Sequence, residues 1–143
     1  MKVKQLSIFI KNEQGRLAEV IDAVASSGVN IRALSLADTS EFGVLRMIVD
    51  SPDKAAESLK EKGLTVKETE VIAVEVADRP GGLNGVMQVF KAQAISIEYM
   101  YAFVEKNNNN AVMVFRVEDA ESAAKKLTEN GVVLLSAGQV YKL

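Results

Sequence analysis

The feature that most constrains this chain is an internal repeat that covers nearly all of its 143 residues. When the sequence is shifted against itself by 66 positions, like residues coincide, and further along the chain the offset becomes 68. The two-residue difference falls in the turn at 107–110, where a solvated backbone tolerates insertion. A shared order of elements with a single insertion predicts two copies of one folding unit. The matched pairs include Gly15/Gly81, Leu17/Leu83, Val20/Val86, Ile31/Ile97, Leu45/Met113, Met47/Phe115, Leu59/Leu127 and Gly63/Gly131.

The first half of each copy reads as a strand, a loop and a helix. Apolar and polar residues alternate from Leu6 to Ile10, at the period of a half-buried strand. Apolar residues from Leu17 to Val24 then recur at helical spacing. Gly28 stands where a left-handed residue commonly ends a helix. The second copy has Ala94 there, which predicts a different helix ending.

The second half of each copy reads as two paired strands, a helix and a last strand. Residues 29–37 pair with 44–49 through a short turn, and 95–104 pair with 112–117. The next helix begins near Ser51 and Pro52, as N-cap and first helical residue. The order βαββαβ predicts an α+β fold with two ferredoxin-like modules in tandem, each an antiparallel sheet with its helices on one face. We place the modules at residues 1–69 and 70–143.

The strand at 95–104 is apolar on both sides. Ile95, Ile97, Tyr99, Tyr101 and Phe103 are expected on one side, and Met100, Ala102 and Val104 on the other. An apolar second face predicts that the sister copy or another chain covers it, so we expect a homodimer.

Composition excludes several classes of function. The chain has no cysteine and no histidine, which removes disulfides, thiolate nucleophiles, imidazole bases and most zinc sites. A net charge of −2 argues against nucleic-acid binding. No stretch approaches the roughly 20 apolar residues of a membrane helix. We therefore expect a cytoplasmic protein with no cofactor, no metal, no nucleic-acid partner and no membrane partner.

The loop after the first strand of each copy is the strongest candidate for function. It reads N-E-Q-G-R-L from Asn12 and D-R-P-G-G-L from Asp78. A glycine loop at a helix N-terminus offers main-chain N–H groups that suit a carboxylate. Asn12 or Asp78 can accept hydrogen bonds from an amino group. An amino acid carries a carboxylate and an amino group close together, so it matches both the main-chain N–H groups and this side chain. The alternative is a tight strand-to-helix turn with no ligand.

The stretches NEQGRLAEVIDAVASSGVNI and DRPGGLNGVMQVFKAQAISI resemble the signature of the ACT domain, a regulatory ligand-binding module of amino-acid metabolism. The resemblance covers nearly the whole chain, twice. It implies ligand contacts from the loop and from the start of the second strand, across a domain interface. Ser96 is shorter than Asn30, so the copies are not expected to be equivalent. The implied positions are Asn12, Gly15, Arg16, Leu17, Asn30 and Ile31, and in the second copy Asp78, Gly81, Gly82, Leu83, Ser96 and Ile97.

These features predict a non-catalytic regulatory protein that binds a small amino acid between ACT-like domains. The alternative is a regulatory subunit of an amino-acid biosynthetic enzyme such as acetolactate synthase. The segments 8–40 and 44–50 are similar to the start of such subunits, although those proteins carry one such domain and a C-terminal region that differs from the second copy here. A third class of function, an enzyme, is not expected, because the sequence offers no convincing nucleophile or general base.

Three further interpretations are weaker. Arg16 beside Gly15 suggests an acylphosphatase, but the rest of that signature is absent. Aromatic residues at 99–103 suggest an RNA-stacking sheet, but the charge balance is acidic. The acidic residues at 118–121 open a helix, where carboxylates interact favourably with its dipole, and a metal site there is not expected.

Overall fold

The computed structural model describes residues 2–38 and 41–143, without the side chain of Asp38. The chain divides into two compact units. The first is formed by residues 4–69, and the second by residues 70–143 together with Lys2 and Val3. Each unit has an antiparallel sheet with helices in the predicted βαββαβ order, which confirms the predicted fold class.

The first unit has the strand order β2-β3-β1-β4. Leu6 lies opposite Met47 and Ile8 opposite Leu45, so these side chains share the sheet face on which the helices pack. The turn predicted between the second and third strands includes residues 39 and 40, which lie outside the described residues. The elements are β1 (Val3–Lys11), α1 (Arg16–Ser26), β2 (Ile31–Asp38), β3 (Phe42–Val49), α2 (Pro52–Glu61) and β4 (Thr65–Val76), which continues into the second unit.

Strand β1 is more buried than its alternating sequence predicts. The polar residues Gln5 and Ser7, on the face away from the helices, are 0% and 6% exposed. The amide Nε2 of Gln5 donates to the hydroxyl of Ser7 at 3.1 Å, which offsets part of the cost of burying both groups. The prediction of a half-buried strand was therefore wrong for this part of β1.

The second unit repeats the order as β5-β6-β4-β7. Its core contains Phe90 and Phe115, whose ring centroids lie 4.8 Å apart. Strand β7 has only two residues, because Ser136 begins a short helix through a capping box with Gln139. The repeat gave no sign of this helix. The elements are α3 (Gly82–Ala92), β5 (Ile97–Ala102), β6 (Ala111–Val117), α4 (Ala120–Glu129), β7 (Leu134–Leu135) and α5 (Ala137–Tyr141).

The short connections from β3 to α2 and from β6 to α4 differ in capping. Ser51 precedes α2 as predicted, but its side chain makes no capping hydrogen bond. Asp119 precedes α4 and accepts a hydrogen bond from the amide of Ser122 at 3.0 Å. The carboxylate of Asp119 is thus used to begin a helix. Among the residues that the structure describes, no helix is long and apolar enough to cross a membrane.

Both units carry a β-bulge near the start of an edge strand. In β2 the register shifts between Ile31 and Ala33, and in β5 it shifts between Ile97 and Tyr99. The extra residue moves Ile97 to the helix-covered face with Met100, away from Tyr99. The predicted grouping of Ile97 with the tyrosines was wrong because simple alternation fails across a bulge.

The ending of α3 also differs from its prediction. Ala94 adopts a left-handed conformation with φ of 54°, as Gly28 does after α1 with φ of 77°. The amide of Ile95 still donates to the carbonyl of Phe90 at 2.9 Å. The expected change of geometry was therefore wrong: the second copy keeps the same ending despite the Cβ of Ala94.

We expect Ala94→Gly to stabilise the protein by about 0.5–1 kcal/mol, because relief of roughly 1–2 kcal/mol of left-handed strain exceeds the added entropy of the unfolded chain. Urea denaturation measures this change. Gly28→Ala is the matched control and should destabilise the protein. Equal stability of Ala94→Gly and the unmodified protein would contradict the assigned strain.

Candidate functional site: the loop between β1 and α1

The loop before α1 has the geometry that the glycine predicts. Gly15 has φ of 86°, in the left-handed region that favours glycine, and its carbonyl accepts from the amide of Glu19 at 3.1 Å. The amide of Arg16 donates to the carbonyl of Glu13 at 3.2 Å. No side chain within the described part of the chain caps this helix. Because the amides of Arg16 and Glu19 are already bonded, the amides of Leu17 and Ala18 are the ones that retain the capacity to bind an acceptor.

A cavity of about 170 Å³ lies beside this loop. It brings together two of the predicted site residues, Asn12 and Leu17, which is 38% exposed. The main-chain N–H of Asn12 donates to the main-chain carbonyl of Glu41 at 3.0 Å, which fixes the position of the main chain at the rim of the cavity. The remaining lining residues are Ile10, Lys11, Glu13, Leu36 and Gly43.

Arg16 lies outside this cavity. Its guanidinium is 3.4 Å from the carboxylate of Glu13 and 3.3 Å from that of Glu19, and it lines a neighbouring cavity of about 300 Å³ with Phe9 and Phe42. These exposed ion pairs contribute little to stability. The same pairs partly neutralise Arg16, so it is a weaker candidate for a ligand contact than Asn12.

The corresponding loop of the second unit has the same glycine conformation but a different partner for its first polar residue. Gly81 has φ of 85°, and no side chain among the residues described by the structure caps α3. The ammonium of Lys106 pairs with the carboxylate of Asp78. The sequence predicts that Asp78 favours an ammonium group, and here the chain supplies one from the turn between β5 and β6. Leu83 is exposed, much as Leu17 is in the first unit.

Gly82 has a specific steric role in this second loop. A Cβ built at this position would lie 1.9 Å from the carbonyl oxygen of Ala77. The loop therefore approaches the helix so closely that only glycine fits.

The strand-start residues lie far from the loops of their own units. Lys11 pairs with Phe42 at one end of β3, and Ile31 pairs with Val49 at the other. Seven residues of strand separate these pairs, which is about 23 Å. One module alone therefore does not bring Asn30 and Ile31 to the loop that contains Asn12.

The start of each edge strand has its own local partners. The main-chain N–H of Asn30 donates to the carboxylate of Asp50 at 3.0 Å, and the amide of Asp50 donates to the carbonyl of Asn30 at 3.0 Å. Ser96 lines a cavity of about 180 Å³ with Asp119 and Lys126, while Ile97 packs on the core of its unit. The side chain of Asn30 is exposed and takes no part in its main-chain bonds to Asp50.

Two residues of interest were missed by sequence reasoning. Arg32 occupies the bulge in β2, and its buried Nε has no hydrogen-bond partner among the described residues. A buried unpaired donor costs about 1–3 kcal/mol. Gly43 lines the loop cavity from β3. A bulge gives no signal in a single sequence, and Gly43 lies one residue before the strand predicted at 44–49, where a glycine is ordinary for a turn.

A larger cavity, of about 350 Å³, lies in the second unit away from both loops. Lys2 stands at its rim, where the neighbouring carboxylates of Glu70 and then Glu121 raise the pKa of the Lys2 ammonium above its usual value. None of the predicted site residues lines it, and the charges at its rim pair with one another. We therefore assign the candidate site to the loop cavity, where Asn12 and an uncapped helix meet. No cluster of acidic side chains in the described part of the chain is arranged to hold a metal ion.

Comparison with known proteins agrees with the resemblance seen in the sequence. The family of the ACT domain pair matches residues 1–143. Protein BT0572 from Bacteroides thetaiotaomicron is 41% identical over 100% of this chain and 98% of that one, with a TM-score of 0.92. The regulatory subunit of aspartate kinase from Thermus thermophilus, in its ligand-free form, shares the fold with 16% identity and a TM-score of 0.63, over 92% of this chain and 94% of that one. No curated protein matches the sequence.

Proposed function

Because this chain belongs to the ACT domain pair family, we propose that it is a non-catalytic regulatory protein that binds a small amino acid between ACT domains, which we place at residues 1–69 and 70–143. The observation that carries the proposal is the loop cavity of the first unit. It combines Asn12, an uncapped helix N-terminus and an apolar wall in one small space. Such a site suits a zwitterion, since the helix end attracts a carboxylate and Asn12 offers an acceptor to an ammonium group.

We place the rest of the site on a neighbouring domain. The strand start with Asn30 and Ile31 is about 23 Å from the loop of its own module. Arg32, beside them, has a buried donor without a partner in the described part of the chain, which a second domain or a ligand would satisfy. Binding would therefore favour one arrangement of domains over another and transmit the concentration of the amino acid to a partner.

The direct test of the function is a thermal-shift panel of the twenty amino acids on the purified protein. A ligand at about 100 times its dissociation constant adds roughly 2.7 kcal/mol, and the melting temperature rises by several degrees. We expect a selective response. If no amino acid shifts the melting temperature, binding by the free protein is wrong.

Asn30→Ala is expected to weaken binding about tenfold, the loss of one hydrogen bond to a charged group, with the apo melting temperature nearly unchanged. The structural reason is that Asn30 bonds to Asp50 through its main chain, and the substitution leaves those bonds in place. Isothermal titration calorimetry measures the affinity. Ser96→Ala is the matched control in the second module, and a larger effect from it would move the site there.

Mixing variants tests whether two copies share a site. Asn12→Ala and Asn30→Ala each disable one half of it. If the halves come from different chains, a mixed dimer regains one intact site, and binding returns to about a quarter of all sites after random exchange of subunits. Absence of recovery, with exchange verified by mass spectrometry of labelled subunits, would exclude a site built from the first modules of two copies.

The second candidate function, a regulatory subunit of a biosynthetic enzyme, is favoured by one surface. Phe9 and Phe42 are 42% and 48% exposed in the first unit. The corresponding residues of the second unit are Glu75 and Asn110, which hydrogen-bond to each other at 2.9 Å. An exposed aromatic pair suits a protein partner. Phe9→Ser with Phe42→Ser should abolish co-purification with an enzyme such as acetolactate synthase while preserving amino-acid binding; retained co-purification would remove this surface from the interface.

A further inference from the structure

The cavity beside the first loop has a wall without polar side chains. Ile10, Leu17 and Leu36 line it together with Gly43, and the polar residues of the lining belong to the loop segment 11–13. A polar or charged ligand side chain against this wall would lose water without gaining a partner. An aliphatic side chain would instead be stabilised by burial.

The volume of the cavity limits the size of the ligand. It measures about 170 Å³. An apolar protein cavity of about 150 Å³ holds a guest the size of benzene. The carboxylate and amino groups of the ligand must occupy part of the same volume, beside the loop segment 11–13. The remaining space therefore fits a branched side chain of three or four carbons, whereas an aromatic side chain exceeds it.

Gly43 sets the depth of this cavity. It lies inside β3, opposite Ile10, where glycine weakens a strand and commonly marks the close approach of another group. A Cβ built on Gly43 would lie 3.4 Å from Cδ1 of Leu36, 3.5 Å from the carbonyl oxygen of Ala37 and 3.6 Å from Cγ1 of Ile10. These are ordinary contact distances, so the fold accepts a methyl group here, and that group would occupy space that the glycine leaves open.

The second module differs at this point. Ala111 lies opposite Val76, as Gly43 lies opposite Ile10, and its methyl group occupies the equivalent place. The second loop also has Asp78 already paired with Lys106. The two modules thus differ in both the apolar wall and the polar end of the candidate site.

We propose that the first module selects an aliphatic amino acid, of the size of valine, leucine or isoleucine, and holds its side chain against Gly43. This inference rests on the proposed function and names its ligand class and a specificity-determining residue. Leu36 and Ile10 form the sides of the side-chain pocket. The second module, with Ala111 in place of the glycine, does not bind the same ligand in the same way.

The test is calorimetric titration of glycine, alanine, valine, leucine, isoleucine, serine, aspartate, lysine and phenylalanine into the full chain. Each buried methylene should tighten binding about fourfold, so leucine should bind roughly 50-fold more tightly than alanine. Gly43→Ala should weaken leucine binding at least tenfold and reduce the preference for leucine over alanine. Ala111→Gly, the matched change in the second module, should leave the affinity for leucine within twofold.

A second variant keeps the test independent of the effect of Gly43→Ala on the strand. Leu36→Ala enlarges the pocket from an exposed side chain and should shift the preference from leucine toward phenylalanine. Tighter binding of aspartate, lysine or serine than of leucine would overturn the ligand class but leave the proposed function intact. Binding of none of the nine would overturn the ligand class, and only a flat response to all twenty amino acids would overturn the proposed function as well. Unchanged leucine affinity in both pocket variants would remove the side chain from this cavity.

Discussion

Gly82→Ala is expected to lower the free energy of unfolding by about 3 kcal/mol or more and the melting temperature by roughly 10 °C. The Cβ would lie 1.9 Å from the carbonyl oxygen of Ala77 and 2.9 Å from its carbonyl carbon. Both are main-chain atoms, so the contact is relieved only if the loop moves away from α3. Differential scanning calorimetry of the purified variant measures the change.

The first module supplies the control for this substitution. Arg16 occupies the corresponding position, and in the described part of the chain its side chain forms exposed ion pairs with Glu13 and Glu19. Arg16→Ala should therefore change the free energy of unfolding by less than about 0.5 kcal/mol. If Gly82→Ala melts at the same temperature as the unmodified protein, the close approach of this loop to α3 is wrong.

Leu59→Ala and Leu127→Ala should each lower the free energy of unfolding by about 3 kcal/mol. The two leucines occupy corresponding places on α2 and α4, and both are fully buried in the cores of their units. Each change removes three carbons from a closely packed core and leaves a cavity that the surrounding strands fill only in part. Denaturation in urea, followed by circular dichroism, measures the loss.

An exposed leucine provides the comparison. Leu34 lies on the edge strand β2 and is 42% exposed. Leu34→Ala should cost about 1 kcal/mol or less, because its side chain is already partly hydrated in the folded state. A cost for Leu34→Ala equal to that for Leu59→Ala would contradict the burial assigned to these two residues.

The repeat was sufficient to predict the fold class because it constrains each element twice. A strand or helix suggested weakly in one copy is supported by its counterpart, as Leu17 to Val24 is by Leu83 to Phe90. Element identity depends on local periodicity, which a single sequence contains. The comparisons confirm the family that this pattern resembles.

The predictions that failed depend on features that periodicity does not contain. A bulge adds one residue to a strand, so Ile97 changes face without any change in composition. Ala94 accepts a strained conformation because the surrounding helix and strand require it. The short strand β7 follows from the capping box at Ser136, which acts against the continuation of the repeat.

The candidate site was predictable in part. Asn12 and Leu17 were expected from the loop motif, and the cavity brings them together. The distance to Asn30 follows from the pairing of β1, β2 and β3, and the pairing of Asp78 with Lys106 joins residues 28 positions apart. These relations arise from tertiary structure. Gly43 lies just before the strand predicted at 44–49, and only the structure places it inside β3 beside the cavity.

The passage of the chain from one unit to the other has a consequence for how such proteins are recombined. The division falls between Thr69 and Glu70, inside the twelve-residue strand β4, and no connecting loop separates the two halves. Genetic recombination at this point would divide strand β4 between two proteins, so neither half can be transferred between genes as an intact folding unit. Grafting this ACT domain pair onto another protein therefore requires both halves, and inserted linkers belong at the chain ends or in the turn at 107–110.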